Sequence, residues 1–280
     1  MSGAPAYRDL LASGELAGRV RAAYTRLRSC DLCPRACAVD RTSAARGACR
    51  IGARAVVAAA HPHFGEEAPL VGTGGSGTIF FAGCNLHCLY CQNHDISQSA
   101  EGDELEPEEL ASVMLQLQDL GCHNINLVSP SHVVPQVLAG VLIAAQAGLR
   151  LPLVYNSGGY DALSTLALLD GVVDIYMPDA KYADAGIGWR LSGVPDYPTV
   201  NRTAIREMHR QVGDLQLDEH GIAYRGLLVR HLVLPHDLAG SADTLHWLAR
   251  EVSPNTYVNI MSQYRPCYRA SSEPRLTRRP

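Results

Sequence analysis

Lysine is almost missing from this chain. Of its 24 basic residues, one is lysine, Lys181, and the rest are arginine. A codon bias that turns lysine into arginine accounts for the scarcity. The survivor then becomes a candidate for a task that needs a compact ammonium able to lose its proton, which a guanidinium cannot do. Long apolar runs are missing too. None of the 280 residues lies in a run approaching the roughly 20 that span a membrane. The N-terminus lacks a basic segment followed by an apolar stretch, so no signal peptide is expected and the expected location is cytoplasmic. A net charge of −4 gives no basic face of the kind a general nucleic-acid binder carries.

Cysteine is plentiful, with nine in the chain. Disulfides rarely persist in a cytoplasmic protein, so that number needs another reason. Seven of the nine fall in two tight groups: Cys30, Cys33, Cys37 and Cys49, then Cys84, Cys88 and Cys91. Cys122 and Cys267 stand alone. Clustering favours metal over disulfide. In GCNLHCLYCQN (83–93) the spacing is C-x3-C-x2-C, and a fourth ligand is lacking. Thiolates suit iron–sulfur clusters and zinc. Three protein ligands leave one coordinate open, the mark of a reactive site instead of a closed structural one.

After residue 77 short apolar runs alternate with helical stretches. TIFFAG (78–83), NINLVS (124–129), LPLVYN (151–156), VVDIYM (172–177), LLVRHLVL (227–234) and TYVNIM (256–261) read as buried strands. PEELASVMLQLQDLG has Pro107 in its first turn, early acids, and Leu110, Val113, Met114, Leu117 and Leu120 at helical spacing before Gly121. This pattern predicts a parallel α/β sheet covered by helices. DLQLDEHGIAYRGLL, turning at His220-Gly221, predicts a hairpin before the fifth run. Residues 1–77 read as an N-terminal extension carrying the first cysteine group, and 269–280 as a disordered tail. Polar residues gather just past the strands: the three cysteines, then Ser129, Ser131 and His132, Asn156 and Ser157, Asp179 and Lys181, His236 and Asp237, Gln263 and Tyr264. The carboxyl ends of parallel strands are where such sheets build active sites.

The three-cysteine motif, with Tyr90 before its last cysteine and Gln92-Asn93 after, resembles the radical S-adenosylmethionine superfamily. It is most similar to proteins related to the pyruvate formate-lyase activating enzyme. The resemblance implies a partial (β/α)6 TIM-like barrel over 78–268. It also implies a [4Fe-4S] cluster on Cys84, Cys88 and Cys91, and S-adenosylmethionine filling the open iron coordinate. One electron would cleave the sulfonium, and the radical released would abstract hydrogen. MPDAK (177–181) resembles the family's D-x-K segment, implying a monovalent cation near the Met177 carbonyl, Asp179, Asn156 and Ser157. VRHLVLP implies that Arg230 lies near the cofactor. The G-G-E found in many members is missing, and Ser129-Pro130-Ser131-His132 stands in its place. A hydroxyl or carbonyl there could take the methionine ammonium, and His132 reads equally as a helix start or a ligand.

The first group, C-x2-C-x3-C-x11-C, can close a zinc site or hold an auxiliary iron–sulfur cluster. HPHFGEE (61–67) offers His61, His63, Glu66 and Glu67, more readily a salt-bridged turn than a metal site. GTGGSG (72–77) precedes a strand, so it is no dinucleotide fingerprint. The expected function is a radical S-adenosylmethionine enzyme reduced by flavodoxin or ferredoxin, acting on a small molecule, peptide or protein. One alternative installs a glycyl radical on a partner enzyme. A non-catalytic zinc-binding interaction module is the rival from another class.

Overall fold

Nine strands are joined in one sheet in the computed structural model, which describes residues 3–280. They are β1 (Ala55–His63), β2 (Ser76–Phe81), β3 (Asp103–Leu105), β4 (Ile125–Val128), β5 (Leu153–Ser157), β6 (Ile175–Pro178), β7 (Gln216–Leu217), β8 (Ala223–Leu232) and β9 (Tyr257–Met261). The order is β3-β1-β2-β4-β5-β6-β8, with β7 and β9 both pairing β8. The six apolar runs are β2, β4, β5, β6, β8 and β9, and every pairing among them is parallel. The sheet curls as a partial TIM-like barrel and does not close. At one edge β1 pairs β2 and β3 pairs β1, both antiparallel, and at the other β9 leaves Ile260 52% exposed.

Alternation along the strands gives each face its job. Ile79, Ile125, Leu127, Tyr155, Tyr176, Leu227 and Val229 point outward into the main core beneath the helices. The helix Pro107–Asp119 shows why the covering forms. A capping box between Glu106 and Glu109 starts it, and Leu110, Met114 and Leu117 bury one stripe. Met114→Ala would cost about 2–5 kcal/mol. On the inward face, Val154, Ile175, Met177 and Leu228 pack around Leu70 as a floor.

Residues 1–77 are more than an extension, because β1 belongs to the sheet and pairs His61 with Thr78. Its Pro62 is tolerated because β3 pairs β1 only at Ala55–Val57, leaving the outer side of the strand unpaired at Pro62. The reading of 61–67 as a salt-bridged turn is half right. His63 Nδ1 lies 3.1 Å from Glu66 Oε1, but both histidines end a strand and Glu67 is buried. The glycine run then turns the chain tightly into β2. A Cβ on Gly74 would meet the Gly121 carbonyl oxygen at 2.0 Å, and one on Gly77 the Asn124 oxygen at 2.7 Å. The short helix Ala68–Val71 between these segments inserts Leu70 into the floor, and 64–75 therefore acts as a plug.

The hairpin is present: β7 pairs β8 antiparallel across Gly221, at φ 77°. The tail departs from expectation. Ala270 and Leu276 are buried, Tyr264 Oη donates to the Leu276 carbonyl at 2.7 Å, and Glu273 binds Arg190 at 2.6 Å. These long-range partners outweigh a polar local composition. No described helix is long and apolar enough to cross a membrane.

Candidate active site

A pocket opens at the carboxyl ends of the parallel strands. Cys84, Cys88, Tyr90, Cys91, Ser129, Asn156, Ser157, Asp179, Lys181, Arg230 and Gln263 all line it. Ser131, Met177, His132, His236, Asp237 and Tyr264 do not.

The cysteine loop leaves β2 at Gly83, whose φ of 75° suits glycine. A Cβ there would also meet the Cys49 carbonyl oxygen at 2.5 Å, so the two cysteine segments touch at this point. The loop is pinned from several sides. Leu89 N donates to Leu191 O at 2.8 Å, and Arg269 N of the tail donates to Leu89 O at 2.9 Å. Cys88 Sγ accepts from Ser192 Oγ at 2.9 Å, and Cys91 Sγ lies 3.2 Å from Ser97 Oγ. Tyr90 Oη sits 2.6 Å from Tyr182 Oη, which is 2.7 Å from Ser192 Oγ. A chain of hydroxyls thus joins the motif's aromatic to its second cysteine. Nothing in the sequence flagged Tyr182 or Ser192, because they lie about a hundred residues from Cys88 and carry no local motif.

Asp179 organises the opposite wall. Its Oδ2 accepts from Lys181 Nζ at 2.6 Å and its Oδ1 from Arg230 Nε at 3.0 Å. Arg230 Nη2 donates to Asn156 Oδ1 at 2.7 Å. Burial alone would raise the Asp179 carboxyl, but Arg230 and then Lys181 hold it below its ordinary value. Burial likewise opposes the Lys181 charge, and Asp179, then Cys88, more than offset it. Both Asp179 oxygens are therefore occupied, and the ammonium and guanidinium stand where a monovalent cation was expected. Met177 is part of the floor, its side chain among Val154 and Leu228. Behind the wall, Gly159 lets the backbone close on Asp179 O, which a Cβ would meet at 2.1 Å.

After β4, Ser129 is left-handed (φ 59°) and donates its N–H to Asn156 O at 2.8 Å. Ser131 turns away instead. Its Oγ donates to Asp161 Oδ1 at 2.6 Å, and Ser157 Oγ and Tyr155 Oη bind the same buried carboxyl. Its hydroxyl is spent on the fold. His132 is structural as well. Its Nε2 lies 2.9 Å from Ala82 O, and burial, then Arg41, depress its pKa to about 3, so it stays neutral.

In the first group, Cys30, Cys33 and Cys49 are buried and Cys37 is partly so. Burial, opposed in part by a backbone hydrogen bond from Arg35 and reinforced by the neighbouring cysteines, pushes the Cys33 thiol up to about 12. Arg41 is wholly buried beside them, 3.7 Å from Cys30 Sγ. It donates to carbonyls of Gly52 and His132 and has no carboxylate partner. A buried guanidinium needs an anion, and metal-bound thiolates would provide one.

Among the described residues no three His, Cys, Asp or Glu side chains converge on a single ion. Burial, then Cys88, push the Cys84 thiol up to about 12, so loading metal must release protons.

The profile of the Radical SAM superfamily matches residues 78–184, from β2 through the Lys181 segment. An uncharacterized protein of Methanocaldococcus jannaschii is 32% identical, over 93% of this chain and 73% of its own length. The chain belongs to the radical SAM superfamily. The matched span carries the three cysteines, Ser129, Asn156, Asp179 and Lys181. The plug, the first cysteine group and Arg230 lie outside it, so the superfamily match says nothing of their roles.

Proposed function

We propose that this radical SAM protein cleaves S-adenosylmethionine reductively and abstracts hydrogen from a small-molecule, peptide or protein substrate. The observation that carries the reading is one pocket lined both by Cys84, Cys88 and Cys91 and by the Asp179–Lys181–Arg230 group. When bound, the cluster and S-adenosylmethionine supply one-electron cleavage of a sulfonium and a hydrogen-abstracting species. The chain's own residues bind, orient and shield. The three cysteines would hold the cluster. Lys181 and Arg230, kept charged by Asp179, suit the cofactor's carboxylate, while Ser129 and Asn156 offer polar atoms for its ammonium. Tyr90, Tyr182 and Tyr264 pack as an apolar wall that keeps water from the cysteine loop. A flavodoxin or ferredoxin suits the role of reductant.

The test is 5′-deoxyadenosine formation by anaerobic, iron-loaded protein with dithionite. Product formed in step with cluster content supports the reading. No product from protein holding a full cluster sinks it. Asp179→Ala should weaken S-adenosylmethionine binding in calorimetry under argon by about tenfold or more, because Asp179 holds Lys181 and Arg230 in place and keeps Lys181 charged against burial.

A further inference from the structure

The chain after β9, residues 262–280, is a basic strap on an acidic protein. It carries Arg265, Arg269, Arg275, Arg278 and Arg279 against one acid, Glu273, a net +4 in a chain that nets −4. Glu273 is buried and already paired, 2.6 Å from Arg190 and 3.1 Å from Arg275. Arg265, Arg269, Arg278 and Arg279 are exposed, and none of them has a carboxylate partner among the described residues. Unanswered like charge on one segment raises the local potential and draws in a surface of opposite sign.

The strap lies on the cysteine loop where that loop reaches the surface. Leu89, between Cys88 and Cys91, is half-exposed. Arg269 N donates to its carbonyl, and its own N–H donates to Leu191 O of the helix Ala185–Ser192. Strap and helix therefore flank Leu89, and the Glu273–Arg190 pair ties them to each other. On the strap Tyr268 is 38% exposed, with the Arg269 guanidinium 5.1 Å from its ring centre, and on the helix Trp189 is 61% exposed. Large aromatics beside arginine are the anchors of protein–protein interfaces. None of Leu89, Trp189 or the strap's arginines lines the pocket. A partner seated on this face is one short segment from two of the cysteines without entering the pocket.

We propose that the strap, with Trp189 beside it, is the docking face for the protein that reduces this enzyme, a small one-electron carrier with an acidic surface. This rests on the reading that Cys84, Cys88 and Cys91 hold a redox cluster. The carrier's reduced cofactor loses one electron and is oxidised by one. The acceptor held by the three cysteines gains that electron, and no atom passes between the proteins. A nucleic acid is the other polyanion that arginines attract. With +4 on the strap, the rest of the chain nets −8, which repels an extended polyanion, whereas a compact acidic protein meets the strap alone.

The test is calorimetric titration of the iron-loaded protein under argon with a flavodoxin, with a plant-type ferredoxin, both of negative net charge, and with a polyuridylate oligomer. The expected result is saturable binding of at least one carrier, weakening severalfold as salt is raised from about 50 to about 300 mM. Affinity should fall about tenfold or more in the triple variant Arg265→Glu, Arg278→Glu, Arg279→Glu, with the matching glutamine variant in between. Trp189→Ala should weaken the same carrier by about fivefold or more. Dithionite needs no docking face, so with it every variant should form 5′-deoxyadenosine at the wild-type rate at matched iron content. Carrier-driven formation should fall with affinity, which separates lost docking from misfolding. Equal affinity of wild-type and charge-reversed protein for the carriers overturns the proposal. So does no binding of either carrier, strap-dependent binding of polyuridylate tighter than that of the carriers, or a loss of dithionite-driven activity in the variants as large as the loss with the carrier. Wild-type protein with a full cluster that makes no 5′-deoxyadenosine with dithionite defeats the reading beneath this one. Protein that makes it, yet binds its carrier regardless of the strap, defeats this inference alone.

Discussion

The lone lysine lines the pocket against Asp179. Its Nζ is 2.6 Å from Asp179 Oδ2, and its Cε lies 3.7 Å from where a Cβ on Gly158 would stand. A planar guanidinium spreads its donors over a fork where the ammonium is a compact point charge. Lys181→Arg should keep its iron yet lose about tenfold or more in 5′-deoxyadenosine formation or in coupling to substrate, since small misplacements near the reacting atoms are costly. Wild-type rate and coupling at matched iron content would show that charge alone matters. His132 makes a different kind of prediction. Unfolded, it titrates at its ordinary pKa of 6.5, and folded it does so near 3. Above pH 6.5 both states are neutral and nothing is lost. As pH falls from 6.5 toward 3 the unfolded state alone gains the proton, so stability drops by at most about 1.4 kcal/mol per pH unit. In His132→Gln, which can still donate to Ala82 O, that acid sensitivity should shrink. Parallel melting curves for the two proteins between pH 7 and 4 would refute the assignment. The same residue marks a limit of sequence. A histidine just past a strand looks like a ligand until Arg41, ninety-one residues earlier, is seen packed against its carbonyl.

Elements were legible where their signal is local. The six parallel strands read as apolar runs, and the Pro107–Asp119 helix announced itself by its cap and stripe. Cys84, Cys88 and Cys91 lie close together in sequence, so their motif was legible without the fold. Strand β1 was hidden, because alanines dilute its apolar pattern and Pro62 argues against a strand. Met177 was expected near the cation through its backbone carbonyl, and its side chain packs in the floor beneath Asp179. The first cysteine loop carries the prediction of this scale. Cys33 is close enough to Cys30, Cys37 and Cys49 for them to raise its thiol, and Arg41, 3.7 Å from Cys30 Sγ, has no carboxylate partner. Replacing Cys30 and Cys33 with serine should lower reconstituted iron from about eight to about four per chain, leaving the Cys84–Cys91 cluster in place. Zinc in the wild type, with iron unchanged in the variant, would point to a mononuclear site.

At the scale of the whole molecule, the two ends of the chain secure opposite ends of the barrel. Ala6 N donates to Asp174 Oδ1 at 2.8 Å, and the same carboxyl accepts from Leu153 N at 2.9 Å, where β5 begins. At the other end the tail crosses the cysteine loop. Arg269 N holds Leu89 O, Tyr268 stacks on His94 at 4.9 Å between ring centres, and Glu273 ties the strap to Arg190. Cutting the chain after Cys267 removes these ties while leaving β9 and every cysteine. The shortened protein should take up iron normally but bleach several times faster in air or with a chelator, followed as loss of its brown absorbance. Equal bleaching would mean that the strap is ornamental. If it shields as its contacts indicate, the protein's working life is written at its C-terminus, far in sequence from the chemistry. Wear at that end, by a protease or an appended tag, would age the enzyme without touching a single residue of its active site.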